Sequence, residues 1–186
     1  MRIVSGTHRG RKLTTLTGND VRPTSDRVRE AMFNALGSMG ALHNAKVLDL
    51  FAGSGALGLE AISRGAAHVT FVDSSAAALE ILKANVAACD CARSCTVIRS
   101  EATAYLSRNQ TAFDLALLDP PYEFDSWTEL LSGIDAQTVV IESNRPIEPP
   151  AGLEVLRQRR YGGTVVTVAA STDRFLSGRP ISEDHS

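Results

Sequence analysis

The sequence contains little of what disulfide-stabilised, zinc-binding or membrane proteins require. Its 186 residues include three cysteines, Cys89, Cys91 and Cys95, whose odd number and C-x-C-x3-C spacing match no common zinc or redox pattern. We therefore expect reduced thiols and no metal. No apolar run approaches the ~18 residues of a membrane span, and the segment MRIVSGTHRG contains no signal-peptide core. These absences favour a cytoplasmic globular protein with no membrane partner.

The net charge is also small, at −2, but the charges are unevenly distributed. Residues 1–29 hold seven basic and two acidic residues, hence +5, whereas the remainder holds 12 basic and 19 acidic residues, hence −7. A basic segment attached to an acidic body favours contact with a polyanion, although a solvated charged hairpin would show the same pattern. We expect Arg9, Arg11 and Lys12 to provide this contact, as the main concentration of positive charge.

The spacing of apolar residues predicts an α/β domain. RIVSG and RGRKLTTL flank Gly6 as a small hairpin, and TSDRVREAMFNALGSM repeats apolar residues at helical spacing behind a Ser25 or Asp26 cap. From Lys46 onward, short apolar runs alternate with helical segments, which is typical of a mostly parallel sheet with both faces covered. We predict strands near 46–50, 68–72, 95–98, 114–118 and 137–142, and helices near 55–64, 74–88, 101–107 and 126–133.

Two strand-like runs, LEVLRQRRY and TVVTVAA, lie on either side of Gly162 and Gly163 and close the sheet as a hairpin, which brings the count to seven strands. The polar segment after Ala170 has no periodicity and is predicted to be disordered. The chain thus divides into a basic hairpin extension, a single main domain and a tail, at 1–20, 21–170 and 171–186.

The run VLDLFAGSGALGLEA places a glycine-rich loop between a strand and a helix. Gly53, Gly55 and Gly58 form a G-x-G-x-x-G pattern, in which glycines allow the backbone to approach a ligand closely. The next strand ends at Asp73, where a carboxylate can accept both hydroxyl hydrogens of a ribose. The candidate nucleotide-binding residues are therefore Gly53, Ser54, Gly55 and Asp73.

Two further carboxylates indicate which nucleoside cofactor the loop binds. Asp49 lies four residues before Gly53, where it would repel a pyrophosphate but could reach the ammonium of an amino-acid group. S-adenosylmethionine carries such an ammonium and no phosphate, so Asp49 favours it over a nicotinamide cofactor. Glu101, just past the third strand, could accept a hydrogen bond from the adenine amino group, although an exposed acidic residue at a helix start is almost as good an interpretation.

The stretch LLDPPYEF joins a strand to a stiff loop. Two prolines fix their own φ and hold Asp119 and Pro120 extended. In a doubly wound sheet this loop lies at the carboxyl edge, beside the glycine loop. Asp119 and the Pro120 carbonyl can accept hydrogen bonds from an exocyclic amine, while Tyr122 offers a stacking face. Asp119, Pro120, Pro121 and Tyr122 are the candidate catalytic residues, and a turn that only ends the strand is the alternative.

Over roughly residues 2–170 the chain resembles the RsmD-type small-subunit ribosomal RNA guanine-N2 methyltransferases. DLFAGSGALGLEA and DPPY are general methyltransferase features, whereas RIVSGTHRGRKL and VRPTSDRVREAMFNAL look like that family's amino-terminal signature. The resemblance implies a Rossmann-like class I α/β fold with sheet order 3-2-1-4-5-7-6, a methyltransferase domain over 21–170 and S-adenosylmethionine as donor. It implies donor contacts at Asp49, Gly53, Gly55, Asp73 and Glu101, and target-amine contacts from Asp119 to Tyr122.

The same resemblance implies 16S ribosomal RNA as the partner. We expect a monomeric enzyme that acts on an assembled small subunit, while free rRNA as the substrate and other oligomeric states stay open. The sequence departs from the family pattern at Ser100-Glu101, where Asp is more usual, and in the tail. RPT and RVRE, which includes Arg29, would suit RNA contact, a cofactor lid or helix packing. The RNA contacts are assigned to five basic residues, Arg9, Arg11, Lys12, Arg22 and Arg27.

Two other functions stay open at the level of sequence. A DNA amino-methyltransferase could use the same Asp-Pro-Pro-Tyr loop on adenine or cytosine, but no segment is large enough for a separate target-recognition domain. A non-catalytic RNA-binding protein could keep the glycine loop for stability, yet it would not need Asp119 aligned with a cofactor acid.

Overall fold

The computed structural model describes residues 1–15 and 26–172. Within them the helices are α1 Asp26–Ser38, α2 Ala56–Ser63, α3 Ala76–Ala88, a 3-10 turn Ala92–Ser94, α4 Ala102–Arg108 and α5 Trp127–Ser132. The strands are β1 Lys46–Leu50, β2 His68–Asp73, β3 Cys95–Arg99, β4 Phe113–Leu118, β5 Ala136–Ser143, β6 Leu153–Tyr161 and β7 Thr164–Ser171. Each predicted helix, and each strand predicted from Lys46 onward, is present within about two residues at its ends.

The strands form a seven-stranded sheet in the order β3-β2-β1-β4-β5-β7-β6, which confirms the predicted order. β7 runs in the opposite direction to the other six strands of the sheet, because a tight turn connects it to β6. At the end of β1, Leu50 lies opposite both Val72 of β2 and Leu118 of β4. The parallel strands therefore end together, at what we call the carboxyl edge; the opposite side is the amino edge.

Two apolar layers cover the sheet. One face packs against α1, α2 and α3, with Phe33, Leu82 and Val140 in its core. The other packs against α4 and α5, with Leu118, Leu130 and Ile141 in its core. Strands buried on both faces need continuous apolar sequences, which is why VLDL and FDLALL carry so few polar residues.

The segment 1–15, which we call the amino-terminal arm, folds back on itself but forms no extended ladder. Its strands meet at a single antiparallel bridge between Arg2 and Lys12. The tip of the arm packs on the end of α2, where Thr7 N donates to Ser63 O at 2.8 Å and a side chain on Gly6 would collide with that carbonyl. The predicted hairpin is thus held mainly by helix contacts.

The three cysteines are free thiols, as predicted, with Cys91 Sγ 3.8 Å from Cys95 Sγ. None of the helices in the described part of the chain is long and apolar enough to cross a membrane. The predicted Ser25 cap, the RNA contact assigned to Arg22, and all but the first two residues of the predicted tail lie outside the described residues.

Candidate active site at the carboxyl edge

The glycine loop follows β1 at the carboxyl edge and depends on left-handed backbone conformations. Phe51, Gly53 and Gly55 have φ values of 61°, 54° and 79°. Gly55 precedes the first turn of α2, and its amide donates to Ala52 O at 2.7 Å. A side chain on Gly55 would collide with Leu82 of α3, so this position requires glycine for both φ and space. The loop is therefore tight and leaves its backbone accessible.

The third glycine of the pattern has a different role. Gly58 lies inside α2, and a Cβ at this position would collide with the ring of Phe71 on β2. Glycine here allows α2 to approach the sheet closely, which fixes the direction in which the helix leaves the loop.

Asp73 ends β2 beside the glycine loop and is half-buried. Its Oδ2 accepts from Gly53 N at 2.7 Å, and its Oδ1 accepts from Ser75 N at 2.8 Å. Each oxygen keeps further acceptor capacity, so the carboxylate can hold the loop and still accept from a ribose hydroxyl. The acid at the end of β2 is thus in direct contact with the glycine loop.

Asp49 lies beneath the loop, where only 1% of the residue is exposed. Its Oδ2 accepts from Gly58 N at 2.8 Å. Burial raises the pKa of Asp49 to about 8, opposed by the Gly58 hydrogen bond and reinforced by the charge of Asp73. Between the unfolded pKa near 3.8 and the folded pKa near 8, the native state binds the extra proton, so this residue lowers the free energy of unfolding as pH rises through that range.

Two further residues are candidates for contact with the methyl donor: Ser54 in the glycine loop and Glu101 in front of α4. Ser54 O accepts from Asn85 Nδ2 at 2.8 Å, and Asn85 also exchanges two hydrogen bonds with the backbone of Thr14. The loop is therefore tied to the amino-terminal arm through one buried amide. Glu101 is exposed in front of α4, and its side chain makes no capping bond there.

The Asp-Pro-Pro-Tyr loop follows β4, the neighbour of β1, and so lies beside the glycine loop. Asp119 is half-buried, Pro120 is buried and Pro121 is exposed. Phe124 N donates to Pro121 O at 2.9 Å, which turns the chain back towards α5. Pro120 and Pro121 lie in the lining of a shallow depression, together with Tyr122, Trp127, Ser143, Asn144 and Arg145.

Tyr122 is held by a contact with β7, which lies two strands away from β4 in the sheet. Its hydroxyl lies 3.2 Å from Thr164 Oγ1, at the first residue of β7. The two residues are 42 positions apart in sequence, and only the order β4-β5-β7 brings them together. The ring that is predicted to stack on the base is therefore oriented by its own hydroxyl group.

An aromatic chain links the two loops. Phe51 of the glycine loop packs edge-on against Phe124, with ring centroids 5.3 Å apart, and Phe124 packs edge-on against Trp127 at 5.1 Å. A bulky residue with positive φ is strained, and the packing of its ring against Phe124 is one of the contacts that restrain Phe51. Sequence analysis missed the link, although DLFAGSG and DPPYEF each carry a phenylalanine next to the motif residues.

Comparisons with known proteins agree with this geometry. The family model described as conserved hypothetical protein 95 matches residues 1–170. The ribosomal RNA small subunit methyltransferase D of Haemophilus influenzae is 35% identical over 174 residues, which cover 87% of this chain and 89% of that protein. The chain belongs to the RsmD family of S-adenosylmethionine-dependent rRNA methyltransferases.

Further relatives support the assignment to the RsmD family. The protein of the same name from Escherichia coli strain K12 is 42% identical over 122 residues, covering 66% of this chain and 60% of that protein. The solved structure of yhhF from Escherichia coli superposes with a TM-score of 0.81 at 33% identity, covering 92% of this chain and 97% of that one. The sheet order and the Rossmann-like fold are therefore those of an RsmD methyltransferase.

The basic residues that the sequence assigned to RNA lie in different surroundings in this RsmD chain. Arg9, Lys12 and Arg27 are exposed and form no ion pair within residues 1–15 and 26–172. Arg11 is exposed too, but its guanidinium donates to the carbonyl of Ala88, the last residue of α3. Because α2 and α3 end at the amino edge, the tip of the arm lies at that edge of the sheet. The candidate active site lies at the opposite, carboxyl edge.

Arg29, by contrast, is a structural residue in the RsmD chain. Its side chain is fully buried, pairs with Asp26 at 2.8 Å, lies 3.8 Å from Glu60 and donates to the carbonyl of Arg2. The helix-packing interpretation of RVRE is therefore the one that the structure supports for this arginine. Its burial leaves it no access to RNA.

Glu60 of α2 organises this buried polar cluster, and sequence analysis did not identify it. Its Oε2 accepts from Val4 N at 2.7 Å, and its Oε1 accepts from Ser5 N at 3.0 Å and from Arg64 Nε at 2.7 Å. A buried carboxylate with these partners and Arg29 nearby is fully satisfied. The arm is thus anchored through its backbone, which a sequence pattern cannot reveal.

Proposed function

We propose that the protein transfers a methyl group from S-adenosylmethionine to the exocyclic N2 amine of a guanine in 16S ribosomal RNA, within a small ribosomal subunit. The observation that carries this proposal is the position of the Asp-Pro-Pro-Tyr loop directly beside the glycine loop, with Leu50 and Leu118 paired at the ends of β1 and β4. The relatives named ribosomal RNA small subunit methyltransferase D support the choice of RNA and subunit.

The residues present suit S-adenosylmethionine. The loop FAGSGALG contains no lysine or arginine that could neutralise a pyrophosphate. Asp73 would accept from the ribose, Glu101 from the adenine, and Asp49 would reach the ammonium, directly or through water. Because Asp49 holds a proton below a pH of about 8, the ammonium would displace that proton on binding. When bound, this cofactor supplies an electrophilic methyl group.

The target amine needs help, because its lone pair is delocalised into the purine. Asp119 and the Pro120 carbonyl would accept its two N–H hydrogens and rotate the lone pair out of conjugation, while the ring of Tyr122 stacks on the base. With the cofactor bound, the nitrogen would take the methyl group as the carbon–sulfur bond gives its electron pair to sulfur, and the methylated amine would release its extra proton to water. The stiff prolines keep the acceptors in place, so they need not reorganise during the reaction.

The decisive experiment uses small subunits from a bacterial strain that lacks this enzyme, with the modified nucleotide identified by mass spectrometry. We expect one methyl group per particle, on guanine N2. Asp119→Asn should lower the transfer rate about 100-fold or more, because an amide is a weaker acceptor for a developing charge. Asp125→Asn, at an exposed acid of the same loop, is the matched control and should be active.

Calorimetry separates the cofactor assignment from the target assignment. S-adenosylmethionine should bind wild type and Asp119→Asn with similar affinity, and NAD should bind neither. A fully active Asp119→Asn enzyme would contradict the assigned mechanism. Methylation of DNA but not of small subunits would show that the enzyme acts on a different polymer.

A further inference from the structure

The outermost strand carries a second basic cluster, which the sequence prediction overlooked. Arg157, Arg159 and Arg160 stand within four positions on β6, and we call them the β6 arginines. Every residue of β6 between its two ends is exposed. None of the three arginines forms an ion pair with any residue in the described part of the chain. The cluster is therefore free to bind an anion from solution.

Strand pairing places this cluster at the carboxyl edge. Arg160 lies opposite Val165 of β7, and Val165 lies opposite Ser143, the last residue of β5. The next pair along the ladder joins Tyr161 to Thr164, the residue whose hydroxyl contacts Tyr122. Arg160 and Arg159 are thus one and two positions from the residue pair that borders the candidate base-stacking ring.

The arginines also occupy both faces of the strand. Arg157 and Arg159 pair with Val168 and Val166, which face the layer of α1, α2 and α3. Arg160 is on the opposite face, because side chains alternate along a strand. A polyanion running past the end of β6 would meet positive charge from either side.

We propose that the β6 arginines bind the phosphate backbone of the RNA substrate beside the target nucleotide, which rests on the function proposed above. Guanidinium groups suit this role because their planar donors match phosphate oxygens in pairs. With only Glu154 opposing three arginines, β6 has a net charge of +2 in a chain whose net charge is −2. This charge favours a polyanion over a second copy of β6, although an exposed edge strand could also pair with one.

The test is the double variant Arg159→Gln/Arg160→Gln, which keeps polar side chains on an exposed strand. The matched control is Arg93→Gln/Arg108→Gln, which removes the same charge from exposed residues whose turns lead into β3 and β4 at the amino edge. Methylation of small subunits is measured across a salt series, and binding to the same particles is measured in the Asp119→Asn background without S-adenosylmethionine, so that no methyl group is transferred during the measurement.

For the β6 variant we expect KM to rise roughly tenfold with kcat within about twofold, and the slope of log affinity against log salt to fall by about 0.7 to 0.9 for each lost phosphate contact. The control should match wild type. S-adenosylmethionine binding and thermal stability should be unchanged in both, so that altered folding is excluded as the cause.

Three results would overturn the inference. An unchanged KM and salt slope in the β6 variant would show that the cluster does not contact RNA. Equal losses in the β6 variant and the control would show an effect of net charge alone. A wild-type dimer in light scattering that becomes a monomer in the β6 variant would make a second copy of this chain the partner. Failure of the proposed function would give a different result from these three, because the wild-type enzyme would then leave small subunits unmethylated.

Discussion

The tip of the amino-terminal arm and the β6–β7 hairpin are both basic, but they lie at opposite edges of the sheet. The tip is pinned to the ends of α2 and α3 at the amino edge, and Arg11 there already donates to a helix carbonyl. The hairpin turns at the carboxyl edge, beside Tyr122, with its arginines exposed. Charge in a sequence therefore indicates that the protein binds a polyanion, whereas the direction of the strands determines which basic segment lies beside the candidate active site.

The two segments also differ in how they are held. The arm is fixed by one bridge and by hydrogen bonds from its backbone to Glu60, Ser63 and Asn85. The hairpin continues the sheet, with β7 paired along its length to both β5 and β6. Removing one of these side chains should therefore loosen the arm locally but leave the hairpin in place.

Glu60→Ala should have the largest effect, because it removes the acceptor of two arm amides and one of the two carboxylates beside the buried Arg29. We expect the free energy of unfolding to fall by about 3 to 5 kcal/mol in chemical denaturation. Hydrogen exchange should accelerate at the amides of Val4 and Ser5, which lose their acceptor. Glu80→Ala removes an exposed glutamate that pairs with Lys83, and as the control it should cost less than about 0.5 kcal/mol. A loss below about 1 kcal/mol for Glu60→Ala would show that the arm does not depend on this carboxylate.

The basic residues of the arm should matter only for an extended substrate. Arg9→Ala/Arg11→Ala/Lys12→Ala should raise KM for assembled small subunits and lower the salt slope, since phosphate contacts at the amino edge require RNA that wraps around the domain. S-adenosylmethionine affinity should not change. A short RNA stem-loop that reaches only the carboxyl edge should bind the triple variant as tightly as wild type. If the triple variant loses affinity for the stem-loop as well, the arm and the hairpin contact the same part of the RNA.

Thr164→Val should have the smallest effect, because it removes one hydrogen bond while keeping the shape of the side chain. We expect the activation free energy that corresponds to kcat/KM to rise by about 0.5 to 1.5 kcal/mol, because Tyr122 loses its orientation. Tyr122→Phe removes the other end of the same bond and should give a similar loss. The double variant should be no worse than either single one, and additive losses would show that the hydroxyl groups act separately.

The fold and the two loops of the site were predictable because their signals are local. Apolar runs alternating with helical spacing specify a parallel sheet, and a glycine pattern between strand and helix fixes the first loop. The Asp-Pro-Pro-Tyr loop followed from the position of its strand beside β1. The position of each loop needs only a short stretch of sequence and the geometry of a doubly wound sheet, whereas the full sheet order was implied by the family resemblance.

The parts that could not be predicted depend on contacts between distant residues. Glu60 meets Val4 across 56 positions, and Tyr122 meets Thr164 across 42. Arg29 carries the same charge as Arg27, and only its position on the buried face of α1 separates packing from exposure. The β6 arginines were visible as RQRR, but the sequence could not show that this run ends at the carboxyl edge.

The strained Phe51 has a consequence for turnover. It belongs to the loop that would hold the donor, yet its ring rests on Phe124 in the loop that would hold the acceptor. A shift of either loop must move or break this contact, so the two loops cannot relax independently. Departure of the spent donor should then loosen the acceptor loop, so the methylated nucleotide is expected to leave together with the donor's remnant or after it, and not before.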